Sequence, residues 1–318
     1  MLAMFFFLIF LPDIGPSQQL PGPPNLKADP YTIRVDVNRV VLHATVQNHQ
    51  GALVSGLGRN DFRIYEDGAP QQIKFFTHED IPVTVGLVVD NSGSMRPKFH
   101  EVITAALAFA HSSNPQDQMF VVSFNEHVRF GLPANTPFTD QASQLEAALS
   151  RYHPDGQTAL YDAVAAALEH LEKGNRDKKV LIVISDGADN ASQHNLAQVM
   201  AVAVQSDAII YALGLFDPDD PDKNPGVLKR LAKATGGEAF MPESIKEIVP
   251  ICEQVARDIR NQYTAAYVST NQKQDGTYRV VEMKAAAPGR GRLVVRTRAG
   301  YNAPIKSQAI ARDPGKQP

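Results

Sequence analysis

The sequence predicts an α/β fold: a doubly wound, mostly parallel sheet inserted into a small antiparallel β-sandwich that the N- and C-terminal segments build together. Three observations predict this architecture. The middle of the chain alternates short apolar runs with amphipathic stretches, both flanks alternate apolar and polar residues, and neither flank has enough strands for a stable sheet of its own. A chain of 318 residues, 43% of them hydrophobic, is long enough to bury such a core.

Residues 1–18 carry a short apolar run, MLAMFFFLIFL, which is typical of a secretory signal peptide and too short to span a bilayer. No Lys or Arg precedes the run, so a buried N-terminal strand remains an alternative. Residues 19–30 are rich in proline and polar residues, which favours an extended linker. We therefore expect an exported protein, periplasmic or extracellular, whose mature form starts near residues 16–19 and has no stable membrane span.

Residues 31–78 and 263–303 carry the period-two pattern of half-buried strands. The first stretch contains TIRVDVNRVVLHATV, followed by FRIYEDGAPQQIKFF with a turn at EDGAPQ. The second contains QYTAAYVST, TYRVVEMKAA and GRLVVRTRAGYNA, separated by turn sequences. We expect the two stretches to share one β-sandwich, and residues 304–318 to form a flexible tail.

Residues 81–262 predict the inserted domain. Four nearly all-apolar runs, VTVGLVVD, DQMFVVSF, KKVLIVIS and DAIIYALGLF, are typical of parallel strands that helices cover on both faces. Amphipathic helices are expected at residues 99–111, 158–173, 195–205 and 227–234. In such folds ligands bind outside the carboxyl ends of the parallel strands. Polar residues at those ends are therefore the first candidates for a site.

Five oxygen-bearing side chains fall at this edge: Asp90, Ser92, Ser94, Thr158 and Asp186. The first three alternate directly after a strand, and we expect Gly93 to let the backbone turn sharply so that they face one centre. Carboxylate and hydroxyl oxygens, without His or Cys, suit Mg²⁺ or Mn²⁺ and disfavour zinc. A competing interpretation is that these residues merely cap helices.

The motif DxSxS at residues 90–94, the threonine in GQTALYDA and the aspartate in SDGAD resemble the metal-ion-dependent adhesion site of von Willebrand factor type A domains, over residues 81–256. This resemblance implies that Ser92 and Ser94 bind the ion directly and that Thr158 binds directly or through water. It implies that Asp90 and Asp186 mainly hold those hydroxyls and waters. The implied partner is a protein that presents an Asp or Glu carboxylate to the ion.

The flanking sequences GLGRNDFRIYEDGAPQQIKFF and VVRTRAGYNAP resemble a bacterial VWFA-related domain family best known from acidobacteria, whose members are exported. The predicted function is therefore metal-dependent protein binding by an exported, non-enzymatic adhesion-type module. Two alternatives stay open: a structural or assembly component of the cell envelope in which the metal only stabilises the fold, and, more remotely, a metal-assisted hydrolase.

Several function classes find no support in the sequence. A formal net charge of −3 without a basic stripe argues against nucleic-acid binding. There is no GxSxG, GxxxxGK[ST] or HExxH motif, and no general base is placed near the serines. The single cysteine, Cys252, lies in an apolar-periodic stretch and is expected to be a core residue.

The stretch FDPDDPDKNPG contains four acidic residues: Asp217, Asp219, Asp220 and Asp222. It lacks the glycine and the final acidic ligand of an EF-hand calcium loop. Since it follows a strand that ends at the predicted metal-binding edge, we expect it to overhang the site as a ligand-gating loop that weakens binding of an acidic partner.

Overall fold

The inserted domain is built around a six-stranded sheet. The computed structural model describes residues 39–216 and 223–305. The predictions for the signal peptide, the linker, the acidic residues 217–222 and most of the tail concern residues outside these ranges. The described strands are β1 (Arg39–Asn48), β2 (Phe62–Glu66), β3 (Ala69–Gln71), β4 (Ile73–Thr77), β5 (Val83–Asp90), β6 (Gln118–Phe124), β7 (Val128–Phe130), β8 (Lys178–Ser185), β9 (Ile209–Gly214), β10 (Ala239–Phe240), β11 (Tyr263–Val268), β12 (Tyr278–Ala285), β13 (Leu293–Arg296) and β14 (Gly300–Asn302).

The described helices all belong to the inserted domain. They are α1 (Phe99–Ser112), α2 (Ala142–Leu149), α3 (Leu160–Leu171), α4 (Leu196–Gln205), α5 (Pro225–Thr235) and α6 (Ile248–Arg260). Helix α1 packs against α2 and α6, and α4 packs against α3 and α5. None of these helices is both long enough and apolar enough to cross a membrane.

The six-stranded sheet has the order β10-β9-β8-β5-β6-β7, and all of its pairings are parallel except that of β7 with β6. Every residue of β5 is buried, as the apolar pattern predicts for a central strand. At its middle, Gly86 allows close packing, because a Cβ there would lie 2.5 Å from side-chain atoms of both Leu181 and Phe120. Strands β5 and β8 run side by side and end at the same edge of the sheet.

Two four-stranded antiparallel sheets flank this domain in sequence, with the orders β13-β1-β11-β4 and β14-β12-β2-β3. Each sheet combines strands from both ends of the chain, and side chains of both sheets enter one hydrophobic cluster. The cluster also encloses an ion pair between Arg279 and Glu66, at 3.4 Å, whose carboxylate accepts hydrogen bonds from Tyr267, Ser269 and Tyr301. The chain leaves for the inserted domain after β4 and returns into β11, and these two strands are hydrogen-bonded neighbours.

The predicted fold class is confirmed, with local differences. Helix α2 and the short strands β7 and β10 lie outside the predicted elements, because none carries a long periodic pattern. Helix α6, over the apolar-periodic stretch around Cys252, also lies outside the predicted helices. The stretch GRLVVRTRAGYNA forms two strands in different sheets, β13 beside β1 and β14 beside β12. Cys252 is buried as expected, and Tyr263 and Tyr267 of β11 are core residues of the sandwich.

Candidate metal centre

The segment from Asp90 to Ser94 turns at the end of β5. A 3-10 helix, Gly93–Lys98, begins directly after Ser92 and leads into α1. Gly93 does not adopt a positive φ, so the expectation that glycine flexibility makes the turn is wrong. The 3-10 geometry makes it, and the N–H of Gly93 donates to the carbonyl of Gly156, 3.1 Å away, in the loop before α3.

Three of the predicted side chains form a chain of short contacts. The hydroxyls of Ser92 and Ser94 lie 3.1 Å apart, and the Ser94 Oγ donates to Asp186 Oδ2 at 2.6 Å. Ser92 and Asp186 are buried, whereas Ser94 is exposed. The cluster therefore presents one hydroxyl to solvent and keeps its carboxylate inside.

Asp90 lies at the bottom of this cluster and is fully buried. Its Oδ1 accepts from the N–H of Ser92 at 2.9 Å, and its Oδ2 accepts from the hydroxyl of Ser185 at 2.6 Å. Burial, and to a lesser extent the charge of Asp186, raises the pKa of Asp90 to about 6, although the hydrogen bonds from Ser185 and Ser92 oppose the rise. Both oxygens of Asp90 are thus engaged by the protein, and the residue organises its neighbours.

Thr158 joins the cluster through its backbone. Its N–H donates to Asn190 Oδ1 at 2.9 Å, and its carbonyl accepts from the N–H groups of Asn190 and Ala191. Asn190 lies in the loop that follows β8, so Thr158 is tied to the loop that carries Asp186, and Gly156 ties the same segment to Gly93. Three chain segments that are far apart in sequence are therefore held together at one edge of the sheet.

The loop after Asp186 needs a glycine. Gly187 has a φ of +77°, and a Cβ at this position would lie 2.4 Å from the carbonyl oxygen of Asn224. The N–H of Asn224 donates to the carbonyl of Asp186 at 3.3 Å, and the N–H of Leu215 donates to that of Ser185. The described residues on either side of the acidic loop thus contact the strand end at the site. Asp217, Asp219, Asp220 and Asp222 lie outside the described residues, and their gating role stays a prediction.

The helix-capping alternative is not supported by the hydrogen bonds. Ser92 occupies the N-cap position of the 3-10 helix, but its side chain makes no capping hydrogen bond. Asp186 Oδ1 accepts from the N–H of Ala188 at 3.1 Å, a local turn well before α4 begins. The side chains of these residues are directed at one another and not at helix ends.

Two residues of the cluster were missed in the sequence. Ser185 donates to Asp90 and accepts from the N–H of Gly187 at 3.0 Å, and Asn190 fixes Thr158. The signal for Ser185 was its position at the polar end of an otherwise apolar strand, next to Asp186. Nothing in the local sequence distinguishes Asn190 from an ordinary loop residue.

The donor set fits a small hard cation better than a soft one. The predicted set comprises two carboxylates and three hydroxyls, of which hydrogen bonds join the Ser92 and Ser94 hydroxyls and the Asp186 carboxylate, whereas Thr158 is held by its backbone. No group of three His, Cys, Asp or Glu side chains suited to a metal occurs within the described residues. Zinc favours nitrogen and sulfur, whereas Mg²⁺ and Mn²⁺ favour oxygen. The two buried acids lie close enough for Asp186 to perturb Asp90, an arrangement that a nearby positive charge would stabilise.

The inserted domain is similar to domains of known proteins. The family model of the von Willebrand factor type A domain matches residues 84–254, just over half of the chain. Inter-alpha-trypsin inhibitor heavy chain H4 of Sus scrofa is 25% identical over 244 residues, which cover 72% of this chain but only 24% of that protein. This chain therefore spans about a quarter of that relative's length.

The same fold occurs in the solved structure of von Willebrand factor type A from Catenulispora acidiphila. The two chains superpose with a TM-score of 0.51 at 13% identity, over 86% of this chain and 76% of the other. Because the matched region comprises the six-stranded sheet, its helices and the three converging segments, the chain belongs to the von Willebrand factor type A domain family.

Proposed function

We propose that this protein is an exported adhesion module that binds a carboxylate of a partner protein through one Mg²⁺ or Mn²⁺ ion. Von Willebrand factor type A domains generally act in protein–protein adhesion and are mostly non-enzymatic. The observation that carries the proposal is the convergence of Ser92, Ser94 and Asp186, in hydrogen-bond contact although they come from two distant segments.

The contacts support different roles for the hydroxyls and the acids. Ser94 is exposed, and the Ser92 hydroxyl lies beside it, so these two oxygens would hold the ion directly. Thr158 would complete the set, directly or through water. Asp90 accepts from two protein donors and Asp186 orients Ser94, so both acids would act mainly by fixing the hydroxyls and bound water.

Neutral direct ligands explain why the partner group should be an acid. An ion held mainly by hydroxyls and water keeps much of its charge, and Mg²⁺ retains exchangeable waters in such sites. A carboxylate then gains a full charge–charge attraction in a partly desolvated environment, which a neutral amide does not. The ion would supply this electrostatic attraction, and the loops around Ser94 would set its direction.

Calorimetric titration tests the metal site. We expect the protein to bind Mg²⁺ or Mn²⁺ near one-to-one, and Ser94→Ala and Asp186→Ala to lose this binding. The matched control is Asp155→Ala, which removes an exposed acid from the neighbouring loop, where its ion-pair partner among the described residues is Arg96. Wild-type affinity in both site variants would refute the assignment.

Partner capture separates adhesion from a purely structural role. Extracts of the cell envelope are passed over the immobilised protein with Mg²⁺ or with EDTA. An adhesion module should retain its partner in Mg²⁺ and release it in EDTA, and Ser94→Ala should retain none. Capture that survives EDTA would favour the envelope-assembly alternative, in which the metal only stabilises the domain.

Export rests on the apolar run and the proline-rich stretch that follows it. Mass spectrometry of the native protein should find an N-terminus near residues 16–19. Recovery of a chain that still begins at Met1, in a cytoplasmic fraction, would contradict export.

A further inference from the structure

A cleft of about 650 Å³ opens on the side of the molecule opposite the metal centre. One wall is the outer face of the sheet β13-β1-β11-β4, and the other consists of the end of α4 and the start of β9. Since β9 runs parallel to β8, its first residues lie at the edge of the sheet away from Asp186. The cleft is therefore separate from the site of the proposed function.

Two rows of side chains cross the sheet wall of the cleft. Val41, Ala266 and Phe75 are paired neighbours on three adjacent strands and form an apolar row. Phe75 ends this row with 53% of its surface exposed. A polar row of His43, Thr264 and Thr77 runs beside it.

The backbone of β1 has a free edge beside this wall. Strand β13 pairs with β1 only from Thr45 to Asn48, and the even-numbered residues Val46 and Asn48 bond to the opposite side. The N–H and C=O groups of odd-numbered residues therefore point toward β13. The N–H and C=O groups of Arg39 and Val41 lie beyond the end of β13 and have no hydrogen-bond partner among the residues that the structure describes.

A second, smaller cavity of about 310 Å³ lies along this free edge and shares Arg39, Val41 and Arg298 with the cleft. It lies between β1 and the end of α4, where an added strand would pair with β1. Within the described part of the molecule, Arg39 makes no ion pair, whereas Arg298 is paired with Asp207 at 2.6 Å. Arg39 is thus the basic side chain of this edge without an ion pair among the described residues. The acids Glu79 and Asp177 also line the cleft, beyond Thr77, which lies level with His43 and not with Arg39.

His43 adds a neutral polar group to the wall. Its Nδ1 lies 3.0 Å from Thr264 Oγ1. Burial, followed by the positive charges of Lys178 and Arg298, lowers the pKa of His43 to about 3. The imidazole is therefore uncharged at neutral pH and does not compete with Arg39 for an anion.

We propose that this edge is a second binding site, which takes an extended acidic peptide segment of a partner protein as an additional strand beside Arg39 and Val41. The peptide backbone bonds to the free groups of β1, an apolar peptide side chain continues the row of Val41, Ala266 and Phe75, and an acidic side chain pairs with Arg39. Backbone pairing supplies affinity and the side-chain row supplies selectivity. An unpaired edge favours a peptide over a lipid, since a lipid would leave the backbone groups unsatisfied.

The test uses the full chain in EDTA, so that the metal centre cannot contribute. The probe is Glu-Thr-Val-Thr-Glu-amide labelled with fluorescein at its N-terminus, in which a glutamate lies two residues from the valine in either direction. We expect saturable binding by fluorescence anisotropy. Methylation of the valine N–H, or replacement of both glutamates with lysine, should weaken it at least tenfold.

Arg39→Glu should also weaken the probe at least tenfold, and Arg59→Glu, which reverses an exposed charge outside the cleft, should not. Circular dichroism of both variants checks that the fold is kept. If Arg39→Glu does not fold, the methylated and lysine probes on the wild-type chain decide the question alone. Absence of saturable binding, or equal binding of the methylated probe, would overturn the proposal.

Discussion

At the scale of single residues, the buried acid Asp90 has a structural cost that the proposed ion would relieve. It is fully buried next to Asp186, and its hydrogen bonds come from neutral donors. A buried charge of this kind destabilises a protein unless a partner charge is present. A mutation that removes the charge of Asp90 should therefore not lower the stability of the metal-free protein.

We predict that Asp90→Asn is at least as stable as the wild type in EDTA, because it keeps the size of the side chain and removes the buried charge. Its amide oxygen still accepts from the N–H of Ser92, and its NH2 group donates to the Ser185 hydroxyl, which can rotate to accept. In Mg²⁺ the order should reverse, since only the wild type binds the ion, and a ligand at about 100 times its dissociation constant stabilises by about 2.7 kcal/mol. Thermal melting in the two buffers measures both effects. A variant that melts well below the wild type in EDTA would contradict this reasoning.

Lys178 is a second buried charge, at the opposite end of β8. It is almost completely inaccessible and donates a hydrogen bond to the carbonyl of Ile259. Burial lowers its pKa to about 7, against the charges of Asp117 and Asp80, which raise it. Between pH 7 and pH 10.5 the unfolded chain therefore holds a proton on this residue that the folded chain has lost.

In this pH range, proton binding by Lys178 stabilises the unfolded chain relative to the folded chain. This stabilisation becomes smaller as the pH rises, so the free energy of unfolding should increase with pH. One titrating group contributes at most about 1.4 kcal/mol per pH unit. Urea denaturation at pH 7, 8 and 9 should show a rising contribution in the wild type that is absent in Lys178→Met. Parallel pH dependences in the two proteins would show that Lys178 does not titrate there.

At the scale of elements, the central strands were the most predictable part of the sequence. Strands β5, β6 and β8 are buried on both faces over most of their length, so each contains a mainly apolar run, and the polar residue at or just after the end of that run marks the ligand-binding edge. Asp90 and Asp186 could be found for this reason, before any side-chain contact was known.

Other elements could not be predicted because their pairing depends on distant residues. The eight residues of α2 carry a weak periodic pattern, and β13 and β14 are separated by only three residues although they join different sheets. Nothing in RLVVRTRAGYN indicates that its first half pairs with β1 and its second half with β12. Likewise, the hydrogen bond between Asn190 and Thr158 forms only once the loop after β8 has folded.

The middle of β5, at Gly86, is too closely packed to accept a larger side chain. In Gly86→Ala the new methyl carbon would lie 2.5 Å from side-chain atoms of Leu181 and Phe120, which is much closer than van der Waals contact. Overpacking of this kind costs about 1–3 kcal/mol. The matched control is Gly58→Ala, whose new Cβ would meet only Asp61 at an ordinary 3.8 Å. Chemical denaturation compares the two, and equal stabilities would show that β5 tolerates a side chain at its centre.

At the scale of the whole molecule, the insertion follows from the pairing of β4 with β11. Thr77 lies opposite Thr264, so the points where the chain leaves and re-enters the sandwich are adjacent. An antiparallel pair of this kind needs only a short turn. The sandwich should therefore not depend on the inserted domain for its strand order.

We predict that replacing residues 79–261 with a short Asn-Gly turn gives a soluble sandwich that unfolds cooperatively. Its stability should be lower than in the full chain, because Arg296 loses its ion pairs with Glu238 and Asp258. Size-exclusion chromatography and thermal denaturation measure the outcome. By contrast, residues 31–78 alone should aggregate, since their strand faces need β11 and β12 as partners.

Crystals grown with Mn²⁺ would show whether the three converging segments hold one divalent ion. An anomalous difference map should show a single strong peak about 2.2 Å from the hydroxyl oxygens of Ser92 and Ser94, next to Thr158. The peak should disappear in crystals of Asp186→Ala. A map without a peak between these segments, or with the ion bound elsewhere, would show that the segments do not form a metal site.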